Sequence, residues 1–452
     1  LDLQEYDVIV VGGGVAGVCA AAAAKKTGAK TLLLEKNQFL GGMATGGWVH
    51  SCLTFHSRFG HRIVDGIPQE IFDRLAAIGG TAGHIRDTVG VAYSVTPFDP
   101  DKYKFVLQVY LEDIGVDYLF ETFCTSVIMD NNRISAIRCC SHNGRFEVKA
   151  KVFIDATGDG NLSFSAGNDF EIGRDGNAMP ATLIFKVRNV NFKPILRYMW
   201  KHMDDFHDET RFDLLKTSPA LGVSGFFRLW KMANLSVPRD RLLFYQTMHD
   251  DEVAINSTRV QDFNPLDPQS CKKAYMTARM QIYEILDFVR EWIPGFGFCR
   301  FTGEAPLLGV REVRRIVGKY MLTGEDIKIG KRFDDEIAFG GFPIDIHLPQ
   351  GNGIETEHAG DEGFYGIPYR CLLPLKTPNL LVAGKCFSSK FEAHASARVQ
   401  ATSMAMGQAA GAAAAIAVKS NLDPCDLQAD FVREAIANLG GLLSPAGRED
   451  LP

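Results

Sequence analysis

Gly12, Gly14 and Gly17 stand in the spacing G-x-G-x-x-G, and Glu35 follows 18 residues after the last of them. This pattern can seat the diphosphate of a dinucleotide. Gly12 permits a tight turn, Gly14 lets the backbone approach a pyrophosphate, and Gly17 lets a helix lie close on a strand. Val15 and Ala16 complete the turn into a helix whose first N–H groups and positive end favour phosphate. Glu35, with Lys36 beside it, can accept hydrogen bonds from both ribose hydroxyls, which disfavours a 2′-phosphate. Three further stretches suit a longer cofactor: Gly41-Gly42-Met43-Ala44-Thr45, Ala156-Thr157-Gly158-Asp159, and a small-residue helix over 402–417 behind Val382-Ala383-Gly384. The amides opening that last helix would stabilise negative charge on the pyrimidine edge of a reduced flavin. The four stretches in this order point to FAD rather than NAD, and Cys124 is counted with them as a cofactor contact.

A second set of residues could handle protons and anions. Arg311, Arg314 and Arg315 surround Glu312, and on a helix the three arginines would share one face. The apolar runs Pro306–Val310 and Ile316–Gly318 predict that part of this face is covered, although a solvated charged face would give the same spacing. Asp345 and His347 alternate on a predicted strand, so a carboxylate could orient an imidazole as general acid or base. Two polar residues on an exposed strand face would read identically.

The elements that must position these groups begin with a β-α-β unit. Tyr6–Val11 is a strand apolar throughout, as in a sheet covered on both faces. The helix over 17–26 ends at Gly28, and Thr31–Leu34 is the next strand. A second unit is expected between Asp99 and Asp159, with a helix near 102–114, a strand near 117–120, and hairpin turns at Asn131-Asn132 and Asn143-Gly144. From 167 to 370 the pattern turns irregular. The fold class expected is α/β: a Rossmann-like FAD-binding domain of the glutathione-reductase type with an inserted α+β substrate or cap domain. The divisions are 1–166 and 371–420 for the FAD-binding part, 167–370 for the insert, and 421–452 for a C-terminal helical segment.

Bulk properties remove other classes. The 452 residues carry 48 basic and 54 acidic side chains, a net charge of −6 that gives no reason to expect nucleic acid as partner. None of the ten cysteines is spaced as CxxC, so neither a zinc site nor an iron–sulfur cluster is expected and the metal count is none. The uncharged stretch over 399–418 holds Gln400, Thr402, Ser403 and Gln408 and reads as a helix buried in protein, not a membrane span. The chain begins at Leu1 and not Met, so a trimmed segment is expected; a cytoplasmic location is favoured, with a lost signal peptide left open. A single G-x-G-x-x-G with strand–helix context argues against a dedicated nicotinamide domain.

With these motifs in view, the chain resembles FAD-dependent oxidoreductases of the glutathione-reductase-type fold, in the branch with GGMATGG near the N-terminus and GQAAG near the C-terminus. The resemblance also runs through Arg311-Glu312-x-Arg314-Arg315, Asp345-Ile346-His347, Ile367-Pro368-Tyr369-Arg370 and Asn379–Gly384. Its most general relatives are the flavoprotein subunits of fumarate reductase and succinate dehydrogenase. By that resemblance His394-x-x-x-Arg398 is similar to a pair that contacts a substrate carboxylate, although backbone or cofactor phosphate are alternative partners. It also implies that Ser403 and Met404 lie against the flavin, and that one of the three arginines near 311 orients the substrate or donates a proton. Two departures matter: Gly384 is followed by Lys385 where many relatives have an acidic residue for the ribityl chain, and cluster-binding cysteine runs are missing. His50 and His56 fall where some relatives attach FAD covalently, but the local pattern fits poorly and noncovalent FAD is expected. The function expected is hydride transfer between FAD and a small anionic or polar metabolite, with an electron-transfer partner possible. A flavin monooxygenase or an electron-carrying subunit of a redox complex are the alternatives.

Overall fold

The computed structural model describes residues 5–452; Leu1, on which the trimming expectation rests, lies outside them. In chain order, strand β1 (Tyr6–Val11), helix α1 (Val15–Lys26), β2 (Thr31–Leu34), helix α2 (Pro100–Ile114), β3 (Asp117–Leu119) and β4 (Ala150–Asp155) come first. Then follow β5 (Phe185–Arg188), β6 (Gly222–Gly225), β7 (Leu242–Gln246), β8 (Val253–Ile255), the long helix α3 (Pro268–Trp292) and β9 (Arg300–Glu304). β10 (Ile344–His347), β11 (Leu380–Val382) and helix α4 (Gln400–Ser420) complete the elements that build the site.

The central sheet is five-stranded and parallel, in the order β11-β4-β1-β2-β3. Its register explains the site. Val11 lies opposite both Asp155 and Leu34, and Asp155 lies opposite Val382, so the strands end in one row at their carboxyl edge. The residues that follow this row, Gly12, Glu35, Ala156 and Ala383, all open into one groove. In an open parallel sheet that edge is where a ligand is held.

Helix α4 is long and apolar enough to cross a membrane by length and composition, but most of it is buried in protein. It packs on α1 through small residues. A Cβ on Gly407 would lie 2.1 Å from the Ala16 carbonyl oxygen, and one on Gly411 would lie 2.0 Å from that of Ala20. The alanine runs of both helices are therefore a packing requirement: backbones this close leave no room for larger side chains.

The second sheet is antiparallel, in the order β6-β7-β8-β5-β9. Alternation divides its faces. Leu242 and Phe244 of β7 are buried in a core shared with Ala278, Ile282, Ile285 and Val289 of α3, whereas Leu243 and Tyr245 line a cavity on the opposite face. The run 306–316 is not a helix. Gly309 is bridged to Thr182, and Arg315–Ile316 pairs with Phe170–Glu171 as a short strand. The expectation that Arg311, Arg314 and Arg315 share a helical face is thereby corrected: extended backbone sends the three side chains to different places. Elsewhere differences are a few residues at element ends, as where Asp99 caps α2 by accepting from the amides of Asp101 and Lys102.

Candidate functional site

A groove of about 350 Å³ runs along the carboxyl edge of the parallel sheet. Gly12, Gly14, Val15 and Ala16 form one end of its floor, with Glu35 and Lys36 beside them. Gly42, Met43, Ala44, Cys124 and the run Ala156–Asp159 continue it, and Gly384 and Ser403 reach it from the late strand and α4. Its cover comes from the second sheet's region, through Tyr275, Leu307, Leu308 and Val310.

The backbone here fits a dinucleotide. Gly12 has φ +105°, and a Cβ on it would stand 2.4 Å from the Ala156 carbonyl oxygen. A Cβ on Gly14 would meet only the Gly42 Cα, at 4.0 Å, so the missing side chain leaves open groove. Neither α1, capped by Gly14, nor α4, capped by Val399, has a side-chain hydrogen bond at its N-terminus. Apart from the Ala401 amide, which faces the Cys52 thiol, the first-turn amides of both helices are left for a ligand.

Glu35 is buried and already holds the turn: its Oε2 accepts from the Gly13 amide at 2.6 Å and its Oε1 from the Asn37 amide and side chain. A carboxylate has about four acceptor sites, which leaves capacity for a ribose hydroxyl. Lys385, where relatives carry an acid, donates to Asp159 at 3.0 Å and to the Val310 carbonyl at 3.2 Å. Three expected cofactor contacts do not line the groove. Gly17 is where α1 meets β1, with a Cβ position 1.8 Å from the Gly12 oxygen. Thr45 is buried and donates to the Leu40 carbonyl, and Met404 is buried beside Tyr103.

A second cavity, of about 360 Å³, adjoins the groove and shares Met43, Val310, Lys385, Arg398 and Gln400 with it. Arg311, His347 and Arg398 line it, with Asp345 between them. His347 Nε2 lies 3.2 Å from Asp345 Oδ2, and Arg398 Nη2 lies 3.6 Å from the same oxygen. Although it is buried, the Asp345 carboxyl is held well below the usual carboxylate range by His347, Arg398 and Arg311. Burial, reinforced by Arg311, pushes His347 down to about 3, so the imidazole is neutral. Burial and the nearby Arg398 lower Arg311 to about 9, while one of its nitrogens donates to the Pro180 carbonyl and Thr182 hydroxyl.

The remaining expected catalytic residues lie elsewhere. Arg314 donates to the Asp159 carbonyl and to Asn161, with its guanidinium over the Phe164 ring. Arg315 is buried in an ion pair with Glu312 at 2.6 Å and donates to the carbonyls of Ser389 and Gly173. His394 is fully buried and donates from Nε2 to the Lys385 carbonyl at 2.9 Å, fixing the loop that presents Lys385. His56 is engaged by Ser94 and Glu449, and His50 lines the second cavity; neither lines the groove along the parallel sheet.

The sequence reading missed Arg239, Arg241, His207, Ser224 and Asn256, all on the second cavity. A signal existed. Arg239, Arg241, Leu243 and Tyr245 alternate into β7 and all four line the cavity, so period-2 reading of this run would have placed two arginines on one strand face. Among the described residues, no group of three or more His, Cys, Asp or Glu is arranged to hold a metal ion.

Residues 7–436 match the family described as FAD dependent oxidoreductase. The chain belongs to the FAD-dependent oxidoreductase family. Members of this family are flavoenzymes, and FAD is the cofactor of this one. Among curated proteins, the chain is 23% identical over 214 residues to the tRNA uridine 5-carboxymethylaminomethyl modification enzyme MnmG of Campylobacter hominis, across 42% of this chain and 30% of that one. It is 27% identical over 172 residues to the digeranylgeranylglycerophospholipid reductase of Methanocella arvoryzae, across 34% of this chain and 40% of that one. The chain thus spans less than half the length of these relatives. A solved structure similar in fold is a geranylgeranyl bacteriochlorophyll reductase-like protein from Thermoplasma acidophilum. It has a TM-score of 0.52 and 16% identity, over 96% of this oxidoreductase and 83% of that chain.

Proposed function

We propose that this oxidoreductase acts on a small anionic metabolite seated in the arginine-lined cavity, with FAD held noncovalently in the adjoining groove. When bound, FAD supplies a ring that can accept or give a hydride. The observation that carries the reading is the junction of the two spaces at Met43, Val310, Lys385, Arg398 and Gln400.

The chain's own residues divide the remaining work. Arg398 and Arg311 hold an anionic group of the metabolite, and a planar guanidinium can fix its orientation through paired hydrogen bonds. The ionised Asp345 accepts the Nε2 proton of neutral His347, which leaves Nδ1 as a bare acceptor with no partner in a buried position. An anion bound by Arg311 offsets the positive charge that, with burial, holds His347 down, so in that complex Nδ1 takes a proton when the metabolite is oxidised and returns it in the reverse direction. In this reading residues 167–370 serve as the cap that closes the groove and supplies most cavity walls.

Anaerobic photoreduction of the FAD-loaded protein, followed by a panel of small carboxylates, phosphates and neutral metabolites, tests the proposal. Selective reoxidation by anionic members is expected, or selective bleaching of the oxidised form. Reoxidation by oxygen alone, with a flavin hydroperoxide absorbance, would assign the protein to monooxygenase chemistry instead.

A further inference from the structure

The cavity walls carry more positive charge than they compensate. Arg239, Arg241, Arg311, Lys385 and Arg398 line it, against Asp345 as the acidic residue. Three of the five cations have anionic partners: Arg241 has Asp240 at 2.7 Å, Lys385 has Asp159 at 3.0 Å, and Arg398 has Asp345 at 3.6 Å. Arg311 is held by neutral oxygens. Arg239 has no contact partner: Asp240 and Asp345 act on it only through space, against the repulsion of Arg241 and Arg259. Its guanidinium makes no hydrogen bond or ion pair among the described residues, it is 6% exposed, and its Nε is sealed from solvent.

That isolation is built into the fold. The Arg239 carbonyl accepts from the Trp230 indole at 2.6 Å and its amide donates to the Val237 carbonyl, so the backbone is fixed. Arg239 precedes β7, and its side chain lines the same cavity as Leu243 and Tyr245 of that strand without reaching the groove, whereas Arg398 lines both. Asn256, on the same cavity, has a buried Oδ1 without a partner. An arginine buried with no carboxylate in contact and no hydrogen-bond acceptor is costly unless a ligand supplies one.

The structure assigns Arg239 as a second anion-binding point, remote from the flavin, which selects metabolites that carry an oxyanion at each end. This rests on the cavity being the substrate site. The group recognised is a carboxylate or a phosphate-type oxyanion, and a hydroxyl or amine beside it would satisfy Asn256.

The test uses FAD-loaded protein and probes matched in length: butyrate against glutarate, and benzoate against terephthalate, each followed by its perturbation of the flavin absorption. The wild-type protein is expected to bind the dianion of each pair roughly tenfold or more tightly. Arg239→Gln brings the dianion to the affinity of its monoanion and leaves the monoanion unchanged, Arg239→Lys recovers part of the difference, and 4-phosphonobutyrate against glutarate separates the two anion types. A dianion preference that persists in Arg239→Gln overturns the assignment. So does a wild-type protein that does not prefer dianions, or whose flavin no probe perturbs. Should Arg239→Gln fail to hold flavin, Arg239→Lys decides, since it keeps the charge and loses the fork: an undiminished preference overturns the assignment and a partial fall supports it. Selective binding of these dianions, with no member of the anaerobic metabolite panel changing the flavin's redox state, would sink the redox reading and leave this recognition point standing.

Discussion

Replacing Gly14 by alanine separates what the glycine does for the fold from what it does for the cofactor. Its backbone lies at φ −66° and ψ 177°, an extended conformation that any residue adopts. The added methyl would meet only the Gly42 Cα, at 4.0 Å, which is ordinary contact. The cofactor-free fold should therefore melt within about 1 kcal/mol of wild type, and could gain slightly from a less flexible unfolded chain. The same methyl, however, projects into the groove where the diphosphate must approach the main-chain amides at the start of α1. One charge-assisted hydrogen bond lost there is worth about 1.5–3 kcal/mol, so FAD affinity should fall roughly 10- to 150-fold. Gly17→Ala is the contrasting variant, because its methyl would overlap the Gly12 carbonyl oxygen at 1.8 Å and must drive α1 off β1. Deflavinated protein titrated with FAD by fluorescence quenching, alongside thermal melts, reads both effects. A Gly14→Ala protein that binds FAD within about threefold of wild type would refute the placement of the diphosphate.

Arg398→Gln should lower kcat/KM by about 30-fold or more, because it removes the guanidinium at the junction of cavity and groove; unchanged steady-state kinetics would count against that role. Arg315→Met should cost roughly 3–5 kcal/mol in a denaturant melt, since it strands the Glu312 carboxylate in a pair whose side chains are 2% and 0% exposed. A loss under about 1 kcal/mol would show the site to be wetter than the structure implies. Stability should fall as pH drops from about 6.5. His50, His84 and His347 are each pushed by burial to about 3, so between those values the unfolded chain binds protons that the folded chain refuses. Asp87, pushed up to about 6 by burial, works in the opposite direction and offsets part of the loss. A melting temperature flat from about pH 7 to about pH 5 would contradict this accounting.

The groove proposed for the cofactor was legible because its determinants are local. Strand, glycine turn and helix are consecutive from Tyr6 to Lys26, Glu35 ends the next strand, and Ala156–Asp159 directly follows β4, so motif order alone placed the groove. The cavity proposed for the substrate was much less so. Its walls come from segments far apart in the chain: His50, Thr182, Ser224, Arg239, Asp345 and Arg398 meet only through tertiary packing. The alternation of Asp345 and His347 survived because two residues on one strand face need no other information. The arginines at 311, 314 and 315 misled because helical spacing was inferred from three residues. The bridge at Gly309 and the pairing of Arg315 with Glu171 hold that run extended. His394 carries the spacing of a substrate ligand, yet it lines neither cavity and its Nε2 donates to the Lys385 carbonyl, a use that no local pattern reveals.

The most direct measurement is an anaerobic difference spectrum of the FAD-loaded protein with and without a small dianion such as glutarate, made on wild type and on Arg398→Gln. A perturbed flavin band in wild type, weakened in the variant, is the result predicted for an anion held where the arginine cavity opens onto the ring. A wild-type spectrum that no anion moves, or protein that stays colourless after incubation with FAD, would contradict the account at its base.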